Sequence, residues 1–382
     1  MTSHTIYIDI HILQTVPPSN LNRDDNGTPK NALYGGVRRS RVSSQAWKRA
    51  ARTAFAEAIP EQQLGVRTKQ IAKMLAQRIA ARTQLSAEQS ATLAAALLGE
   101  FGIKSGKKAG DTAYLLFFGR NQVDEIVSQV AGRAEELAAL DEKALKTELG
   151  RLEISSQLTK GHPIDVALFG RMVADIPGLN VDAAVQVAHA ISTHPVDIEF
   201  DYYTAVDDEN PKEETGAGMI GTIEFNSATL YRYATLAVHL LAENLAGEPE
   251  AIKSAAATFT DAFVRSIPDG HSNSFAHRTL PHLVAVTIRR DQPVNLVSGY
   301  EQPVYAGARG IAAESALRLA EEHKAVAETW SLSDAPTAAS YTFTGKTGAE
   351  LAETYGPSIP LKDLLSTVRT HTGAYLAEEA GQ

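Results

Sequence analysis

The 382-residue sequence contains no cysteine. Disulfides, thiolate nucleophiles and cysteine-ligated zinc sites are therefore excluded, together with the enzyme classes that depend on them. No apolar run approaches the ~20 residues of a membrane-spanning helix, and the first residues do not form a charged-then-apolar signal pattern. The P-loop and the H-E-x-x-H zinc motif are also missing. We therefore expect a cytoplasmic protein without a catalytic site, a cofactor or a metal.

Positive charge is outweighed by negative charge overall but is concentrated in one stretch. The formal net charge of the chain is −9, whereas residues 18–52 contain eight Lys or Arg against two Asp. Scattered charge would serve solubility equally well, so this clustering indicates an anionic partner. The acidic total does not oppose this, because phosphate binding is decided within roughly 8 Å at physiological salt.

The basic stretch has the pattern of a strand followed by a helix. Residues 37–42 (VRRSRV) read as an extended run that places Arg39 and Arg41 on one face. Ser43 and Ser44 then stand where a helix N-cap is expected. Apolar residues recur at helical spacing on one side of the helix, at Trp47, Ala50, Ala51, Ala54 and Phe55. The other side offers an amide and three cations, at Gln45, Lys48, Arg49 and Arg52.

A phosphate backbone fits such a face, since cations and free backbone N–H groups point the same way. The alternative is an ordinary amphipathic surface helix whose polar face is only solvated.

The rest of the chain predicts an α+β protein. We expect a strand at 5–13, a loop at 15–36, helices throughout 60–181, a helix at 182–191 and a hairpin at 193–225. A helix at 249–266, a strand at 283–290 and helices near 307–326 and 361–378 complete the series. This βαββαβ-like order suggests a ferredoxin-like (RRM-like) sheet with insertions.

Several further groups are weaker candidates. Residues 101–111 contain three lysines (Lys104, Lys107 and Lys108), and this loop is either a nucleic-acid contact or a solvated linker. Arg289 and Arg290 end a predicted strand and are candidates for the same groove. His189 and His194 are five apart, which is the wrong spacing for two ligands on one helical face.

Three stretches resemble a known family. They are SNLNRDD with the following ALYGG and SSQAWKRA (19–50), AHAISTHPVDIEFDYYTAVDD (188–208) and GTIEFNSATLYRYATLAVHLLAENL (221–245). Together they resemble the CasC-type backbone subunit of Cascade, the type I-E CRISPR surveillance complex, of the RAMP superfamily. The region between 60 and 180 is similar only in its helical character and in VALFGRM (166–172).

The resemblance implies a hand-shaped subunit. Its parts would be a ferredoxin-like palm (1–59, 182–192 and 224–382), a helical fingers insertion (60–181) and a thumb hairpin (193–223). Guide-phosphate positions of the family fall on Arg23, Lys30, Ser43, Gln45, Lys48 and Arg52, and we add Arg39, Arg41 and Arg49 for their charge and place. Met172 falls where an apolar residue supports splayed bases, and Tyr203, Thr204 and Val206 fall on the thumb. The family has lysines near a late loop. This sequence has Gln302 and Pro303 in that region, and Arg309 is the nearest cation.

The resemblance also implies partners and a role in antiviral defence. Copies of the subunit would bind CRISPR RNA side by side and present it to target DNA. The other partners would be the large subunit, the small subunit, a CasD-type end cap and a CasE-type processing endoribonuclease. One alternative is a guide-loaded subunit that cuts target RNA with a metal ion, through Asp24 or Asp25. Another is an oligomeric structural protein without nucleic acid.

Overall fold

The structure is a computed structural model, which describes residues 5–108, 110–152, 154–205, 219–332 and 335–381. The chain divides into two compact units. A sheet unit comprises Met1–Ala54, Gln186–Leu236 and Ala256–Gln382, and a helical unit comprises Phe55–Val185 and Ala237–Ala255. The fold is mixed α and β with an antiparallel sheet. This agrees with the predicted α+β class.

The strands in the described part of the chain are β1 (Tyr7–Ser19), β2 (Asn31–Tyr34), β3 (Val37–Val42), β4 (Gly65–Thr68), β5 (Leu116–Gly119), β6 (Val185–Val187), β7 (Ala190–Ser192), β8 (Glu199–Ala205), β9 (Met219–Ala237), β10 (Leu283–Arg289) and β11 (Thr337–Tyr341).

The α-helices in the same residues are α1 (Ser44–Ala58), α2 (Ile71–Arg82), α3 (Ala87–Glu100), α4 (Arg120–Ala131), α5 (Ala134–Ala138), α6 (Glu142–Arg151), α7 (Ile164–Phe169), α8 (Val238–Asn244), α9 (Pro249–Arg265), α10 (Ser272–Phe275), α11 (Ile311–Thr329), α12 (Gly345–Tyr355) and α13 (Leu361–Ala380). Each helix that the structure describes is too short or too polar to span a lipid bilayer.

The main sheet of the sheet unit has the strand order β11-β10-β1-β9-β7-β3-β2, and β6 and β8 also pair with β9. β1 pairs antiparallel with β10, where Ile10 opposes Val286. Side chains on both faces of β1 are buried, including the polar Asp9 and His11. Alternation of apolar and polar residues is typical of a strand with one buried face, but helices pack against both faces of this sheet. Leu319 of α11 belongs to the apolar cluster on one face.

The helical unit has its own apolar core. Leu75 of α2, Leu97 of α3 and Val127 of α4 are fully buried in one cluster. α3 begins with a capping box, in which the Ser86 hydroxyl accepts the Gln89 N–H at 3.2 Å and the Gln89 side chain accepts the Ser86 N–H at 2.9 Å. α3 therefore has both a local start signal and an apolar face, which is why the sequence predicted a helix here.

Three secondary-structure predictions are wrong in part. The region 60–181 is not wholly helical, because β4 and β5 form a two-stranded sheet within it. The predicted loop 15–36 contains the end of β1 and all of β2. The predicted helix 182–191 is instead the strands β6 and β7, with Ile191 opposite Arg41 on one side and Tyr231 on the other. Pairing with two neighbouring strands outweighs the helical propensity of this alanine-rich segment.

The predicted hairpin is present as β8 and the start of β9. Glu199 opposes Phe225 at one end of the ladder and Ala205 opposes Met219 at the other. Val206 and the rest of the predicted tip, to residue 218, lie outside the described residues.

Candidate nucleic-acid interface

Arg39 is fully buried, which corrects the prediction that its side chain contacts a ligand. Its guanidinium donates to main-chain carbonyl oxygens of Ser192 (2.9 Å), Tyr300 (2.8 Å) and Tyr34 (3.2 Å). Burial lowers the pKa of Arg39. Alternation correctly put Arg39 and Arg41 on one face of β3. It could not show that the segment around Tyr300 covers this face at Arg39.

α1 packs on the sheet through its apolar face. Trp47 and Ala51 are buried, and the guanidinium carbon of Arg232 lies 3.8 Å from the centroid of the Trp47 ring. Arg232 is itself buried, its Nη1 donates to Gln14 Oε1 at 2.5 Å, and burial lowers its pKa to about 9. This cation–π contact in a dry environment holds the first half of α1 on the sheet.

The opposite face of α1 carries the amide and cations that the sequence pattern predicted. Gln45 and Arg49 are exposed, and Lys48 and Arg52 are half-buried. Burial lowers the pKa of Lys48. Among the residues that the structure describes, neither Lys48 nor Arg49 pairs with an acid. Their charges are therefore available to an external anion.

Ser43 caps α1. Its hydroxyl oxygen accepts the Ala46 N–H at 3.2 Å, and its own N–H donates to Asn22 Oδ1 at 2.8 Å. The residue is only 7% exposed. The observed role of Ser43 is thus to fix the start of α1 against the loop before β2, which agrees with the N-cap pattern rather than with direct ligand contact.

Arg23 and Lys30 flank that loop. The Lys30 N–H donates to the Asn22 carbonyl at 2.8 Å, and the Arg41 N–H donates to the Lys30 carbonyl at 2.9 Å. Arg23 Nη1 contacts Nε2 of His271. These bonds bring Arg23, Lys30 and Arg41 to one part of the sheet unit, at the end of β3 where α1 begins.

His189 joins this surface, and sequence reasoning missed it. Its Nδ1 accepts the Ser44 N–H at 3.2 Å and lies 3.4 Å from Nη1 of Arg41. Both neighbours are donors, so the ring hydrogen of a neutral imidazole belongs on Nε2. Burial, together with Arg41 and Lys30, lowers the pKa of His189. No local signal could have revealed this contact, because 148 residues separate Arg41 from His189.

The family model of the CT1975-like proteins matches residues 8–366. The chain belongs to this family. It is also similar to a solved chain described as "CRISPR RNA-guided surveillance complex, pre-nicking", with a TM-score of 0.80 and 29% identity over 96% of this chain and 100% of that one. A second, described as "CRISPR RNA-guided surveillance complex", gives a TM-score of 0.72 and 26% identity over 96% and 99%. No curated protein sequence matches.

Other arginines of this family member are occupied by acids. Arg289 Nε donates to Asp9 Oδ2 at 2.8 Å, with both side chains buried. Arg290 pairs with Glu378 at 2.8 Å on the surface, and Arg309 is also paired with an acid. The prediction that Arg289 reaches a nucleic-acid groove is therefore wrong, and Arg290 and Arg309 are held by internal partners.

The hairpin of this family member presents aromatic side chains. Phe200, Tyr202 and Tyr203 are 64%, 75% and 45% exposed, and Thr204 is exposed as well. The Tyr203 ring lies over Gly221 in the opposite strand, where an added Cβ would come within 2.3 Å of the ring. The absence of a side chain at Gly221 thus leaves the space that the Tyr203 ring occupies.

Met172 belongs to the helical unit and is 83% exposed. The preceding Arg171 is buried and donates to the carbonyl oxygens of Leu179 and Leu158, each at 2.6 Å. Burial lowers the pKa of Arg171 to about 10. The buried guanidinium thereby anchors the segment that exposes Met172.

Proposed function

We propose that this member of the CT1975-like family is a CRISPR RNA-binding backbone subunit of a Cascade-type complex. The single observation that carries the proposal is the outward face of α1, where Lys48 and Arg49 are free of acids within the described chain. Similarity to chains of CRISPR RNA-guided surveillance complexes over almost the whole sequence supports it.

The finer proposal is a CasC-type subunit of a type I-E complex in the cytoplasm. The connected series β1, α1, β7, β9, α9 and β10, with the strand order β10-β1-β9-β7, supports a ferredoxin-like palm. The helical unit would be the fingers, and the β8–β9 hairpin would be the thumb.

The proposed mechanism is non-catalytic. Cations, an amide and backbone groups contact phosphate and sugar, which carry no sequence information, so sequence choice passes to base pairing between the guide and target DNA. Copies of the subunit would follow one another along the RNA. The large and small subunits, the CasD-type end cap and the CasE-type endoribonuclease would complete the assembly.

The test is a salt titration of guide binding by a Lys48→Ala/Arg49→Ala variant. Both side chains lie on the outer face of α1, so the fold should be retained. Affinity should fall equally for guides of different sequence, and the slope of log K against log salt should shrink by about 0.7 for each phosphate that the variant no longer neutralises. Lys324→Ala/Lys362→Ala removes the same charge from exposed positions of α11 and α13. If both double variants bind alike, the proposed surface is wrong.

The competing proposal of metal-dependent target-RNA cleavage depends on Asp24 or Asp25. Asp24 Oδ1 accepts the N–H groups of Asn26 (2.9 Å) and Thr28 (3.0 Å), which supports a structural use of that carboxylate. We expect complementary RNA to stay intact when the assembled complex is incubated with Mg²⁺. Regularly spaced cuts that disappear in Asp25→Ala would establish cleavage instead.

A structural protein without nucleic acid is tested most simply by absorbance. The purified complex should show the high 260/280 nm ratio of bound RNA, and a protein-like ratio would favour the structural alternative.

A further inference from the structure

The candidate nucleic-acid interface is built from two elements of the sheet unit that are far apart in the sequence. One is α1, with the cations of its outer face. The other is residues 268–282, which we call the His271 segment, because Nε2 of His271 contacts Nη1 of Arg23. This segment lies directly on the chain that leads to Arg23, since a Cβ on Gly270 would stand only 2.4 Å from the Leu21 carbonyl oxygen. Both elements must keep their positions if their cations are to meet one RNA strand.

The backbone of the His271 segment is strained. His271 and Ala276 have φ angles of +52° and +46°, in the left-handed region that is unfavourable for residues with a side chain. Within the segment, Nε2 of His277 donates to the Pro268 carbonyl at 2.9 Å. Strained backbone persists only where the surrounding structure holds it, so this segment depends on contacts from outside.

One such contact is made by Gln14 of β1. Its Nε2 donates to the main-chain oxygen of Thr279 at 2.8 Å and lies 3.3 Å from the Thr279 hydroxyl. That hydroxyl donates to the Thr15 carbonyl at 2.8 Å. Gln14 is 1% exposed, and its Oε1 accepts a hydrogen bond from Arg232 of β9. The Gln14 amide thus joins the His271 segment to a buried guanidinium.

Arg232 connects β9 to three other elements. Its Nη1 donates to Gln14 Oε1 at 2.5 Å, and its Nη2 donates to the main-chain carbonyl of Phe263. The guanidinium carbon lies 3.8 Å from the centroid of the Trp47 ring and 4.7 Å from that of the Phe263 ring. A single side chain therefore contacts β1, α9 and the ring that packs α1 on the sheet.

The charge of Arg232 is buried without an acid. The side chain is fully buried, and no Asp or Glu pairs with it among the described residues. Phe263 lies in the last turn of α9, where the final carbonyl groups lack helical partners and form the negative end of the helix dipole. The cation is therefore balanced by aromatic rings, an amide and a helix end, and not by a carboxylate.

An apolar side chain could fill this site at a lower desolvation cost. Burying an unpaired charge is expensive, and replacing buried charges by apolar side chains of similar volume is often neutral or stabilising. A methionine, however, could not join Trp47, Gln14 and Phe263 at once. The planar fork of arginine offers donors in different directions while its face stacks on a ring. What Arg232 adds is thus the connection and not the filling of space.

We infer that Arg232 is a positioning residue for guide RNA. It fixes α1 through Trp47 and the His271 segment through Gln14, so the cations of both elements are aligned before the RNA arrives. The inference rests on the proposed function, in which these elements contact guide phosphates. Arg232 itself does not touch the RNA. Without it the same contacts form only after both elements have been ordered, which costs affinity.

The first test measures guide RNA binding by full-length Arg232→Met and Arg232→Lys at a temperature where circular dichroism shows each chain folded. Arg232→Met removes every connection and should weaken binding about tenfold, the order of one hydrogen bond to a charged group. The salt slope should not change, because the same cations meet the same phosphates in the complex. Arg232→Lys keeps the charge but lacks the planar fork, so its affinity should lie between those of Arg232→Met and the wild type.

Leu319→Ala is the matched control for a loss of stability. Leu319 of α11 is fully buried in a cluster with Tyr231 and Tyr233, and alternation puts Arg232 on the other face of β9. Leu319→Ala should therefore destabilise the same unit and leave guide affinity unchanged. An equal loss of affinity in Leu319→Ala and Arg232→Met would mean that affinity follows stability alone, which would overturn the inference.

Double-mutant cycles show whether Arg232 acts through these two elements. Arg232→Met is combined with Lys48→Ala/Arg49→Ala for α1 and with Arg23→Ala for the His271 segment. If Arg232 positions these cations, it contributes less once they are gone, so each combination should cost less affinity than the sum of its parts. Additive losses in either cycle would overturn the inference, because a residue that serves only the fold has no such coupling.

The Arg232 variants also separate this inference from the proposed function. If Arg232→Met does not fold, Arg232→Lys decides: reduced guide affinity in the folded chain supports the inference, and wild-type affinity overturns it. A wild-type protein that binds no guide RNA defeats the proposed function. Normal guide binding by folded Arg232→Met defeats only the inference about Arg232.

Discussion

Three arginines of the sheet unit are used inside the protein, whereas most arginines of the helical unit are used on its surface. Arg39, Arg232 and Arg289 are buried in the sheet unit, while Arg78 and Arg133 of the helical unit form surface ion pairs. Both uses remove the charge from what a ligand can reach. Lys48 and Arg49 of α1 belong to neither group, since no acid pairs with them among the described residues. The number of basic residues therefore overstates how much positive charge a ligand can reach.

The largest effect should come from breaking a buried pair of the sheet unit. Asp9→Ala leaves Arg289 buried without an acid, which should cost about 3–5 kcal/mol of stability. Both tryptophans, Trp47 and Trp330, lie in the sheet unit, so their fluorescence during urea unfolding reports this unit. Glu378→Ala is the control, since it breaks the exposed pair of the neighbouring Arg290 and should cost less than about 1 kcal/mol. Equal costs would contradict the distinction between buried and surface arginines.

The helical unit should respond most to a loss of apolar packing. Leu97 is fully buried in α3, and Leu97→Ala should cost about 2–5 kcal/mol through lost transfer energy and a cavity. Hydrogen exchange of the α2–α4 amides measures this directly. Leu115 is 55% exposed, so Leu115→Ala should change stability by no more than about 0.5 kcal/mol. Faster exchange in both variants would mean that this core is not the source of stability.

Two neighbouring elements of the sheet unit, β3 and α1, also differ in how far the sequence could be interpreted. Trp47 and Ala51 were predicted correctly as the packed face of α1, because the period of a helix is set locally. The burial of Arg39 was not predictable in the same way, because its acceptors Ser192 and Tyr300 lie 153 and 261 residues away. Alternation assigns a residue to a face of a strand, but only the complete fold decides whether that face is open.

Strand pairing overrode local preference in the same manner. The segment 182–191 is rich in alanine and was predicted as a helix, yet Ile191 lies between strands that contribute Arg41 and Tyr231. His189 belongs to that segment. The error in secondary structure therefore also concealed a histidine that contacts the start of α1.

Acid should destabilise the sheet unit through histidines that are buried in their neutral form. Burial, followed by the nearby His323 and Arg289, lowers the pKa of His11 well below its ordinary value, and burial with Arg289 lowers that of His323 to about 4. The unfolded chain binds protons first, so the stability is complete above about pH 6.5 and falls as the pH drops toward 4, by up to about 1.4 kcal/mol per pH unit for each histidine.

Tryptophan fluorescence during urea unfolding at pH 7 and pH 5 tests this. His323→Phe should reduce the difference between the two pH values relative to the wild type. An unchanged difference would show that His323 is not buried as a neutral ring. His162 of the helical unit also has its pKa lowered to about 4 by burial, so His162→Phe should flatten the same pH dependence in amide exchange of α4 rather than in fluorescence.

The smallest effect should come from His189. Its neutral ring contacts Arg41, so this arginine has a partner that is not an acid. It accepts hydrogen bonds from the Ser44 N–H and from Arg41. His189→Phe removes the acceptor and should weaken guide RNA binding at pH 7.5 by about 0.5–1.5 kcal/mol, the value of one such bond. His189→Gln keeps an acceptor of similar reach and should lose less. A neutral acceptor can orient Arg41 without cancelling its charge. Equal affinities for both variants would mean that Arg41 does not contact the guide RNA.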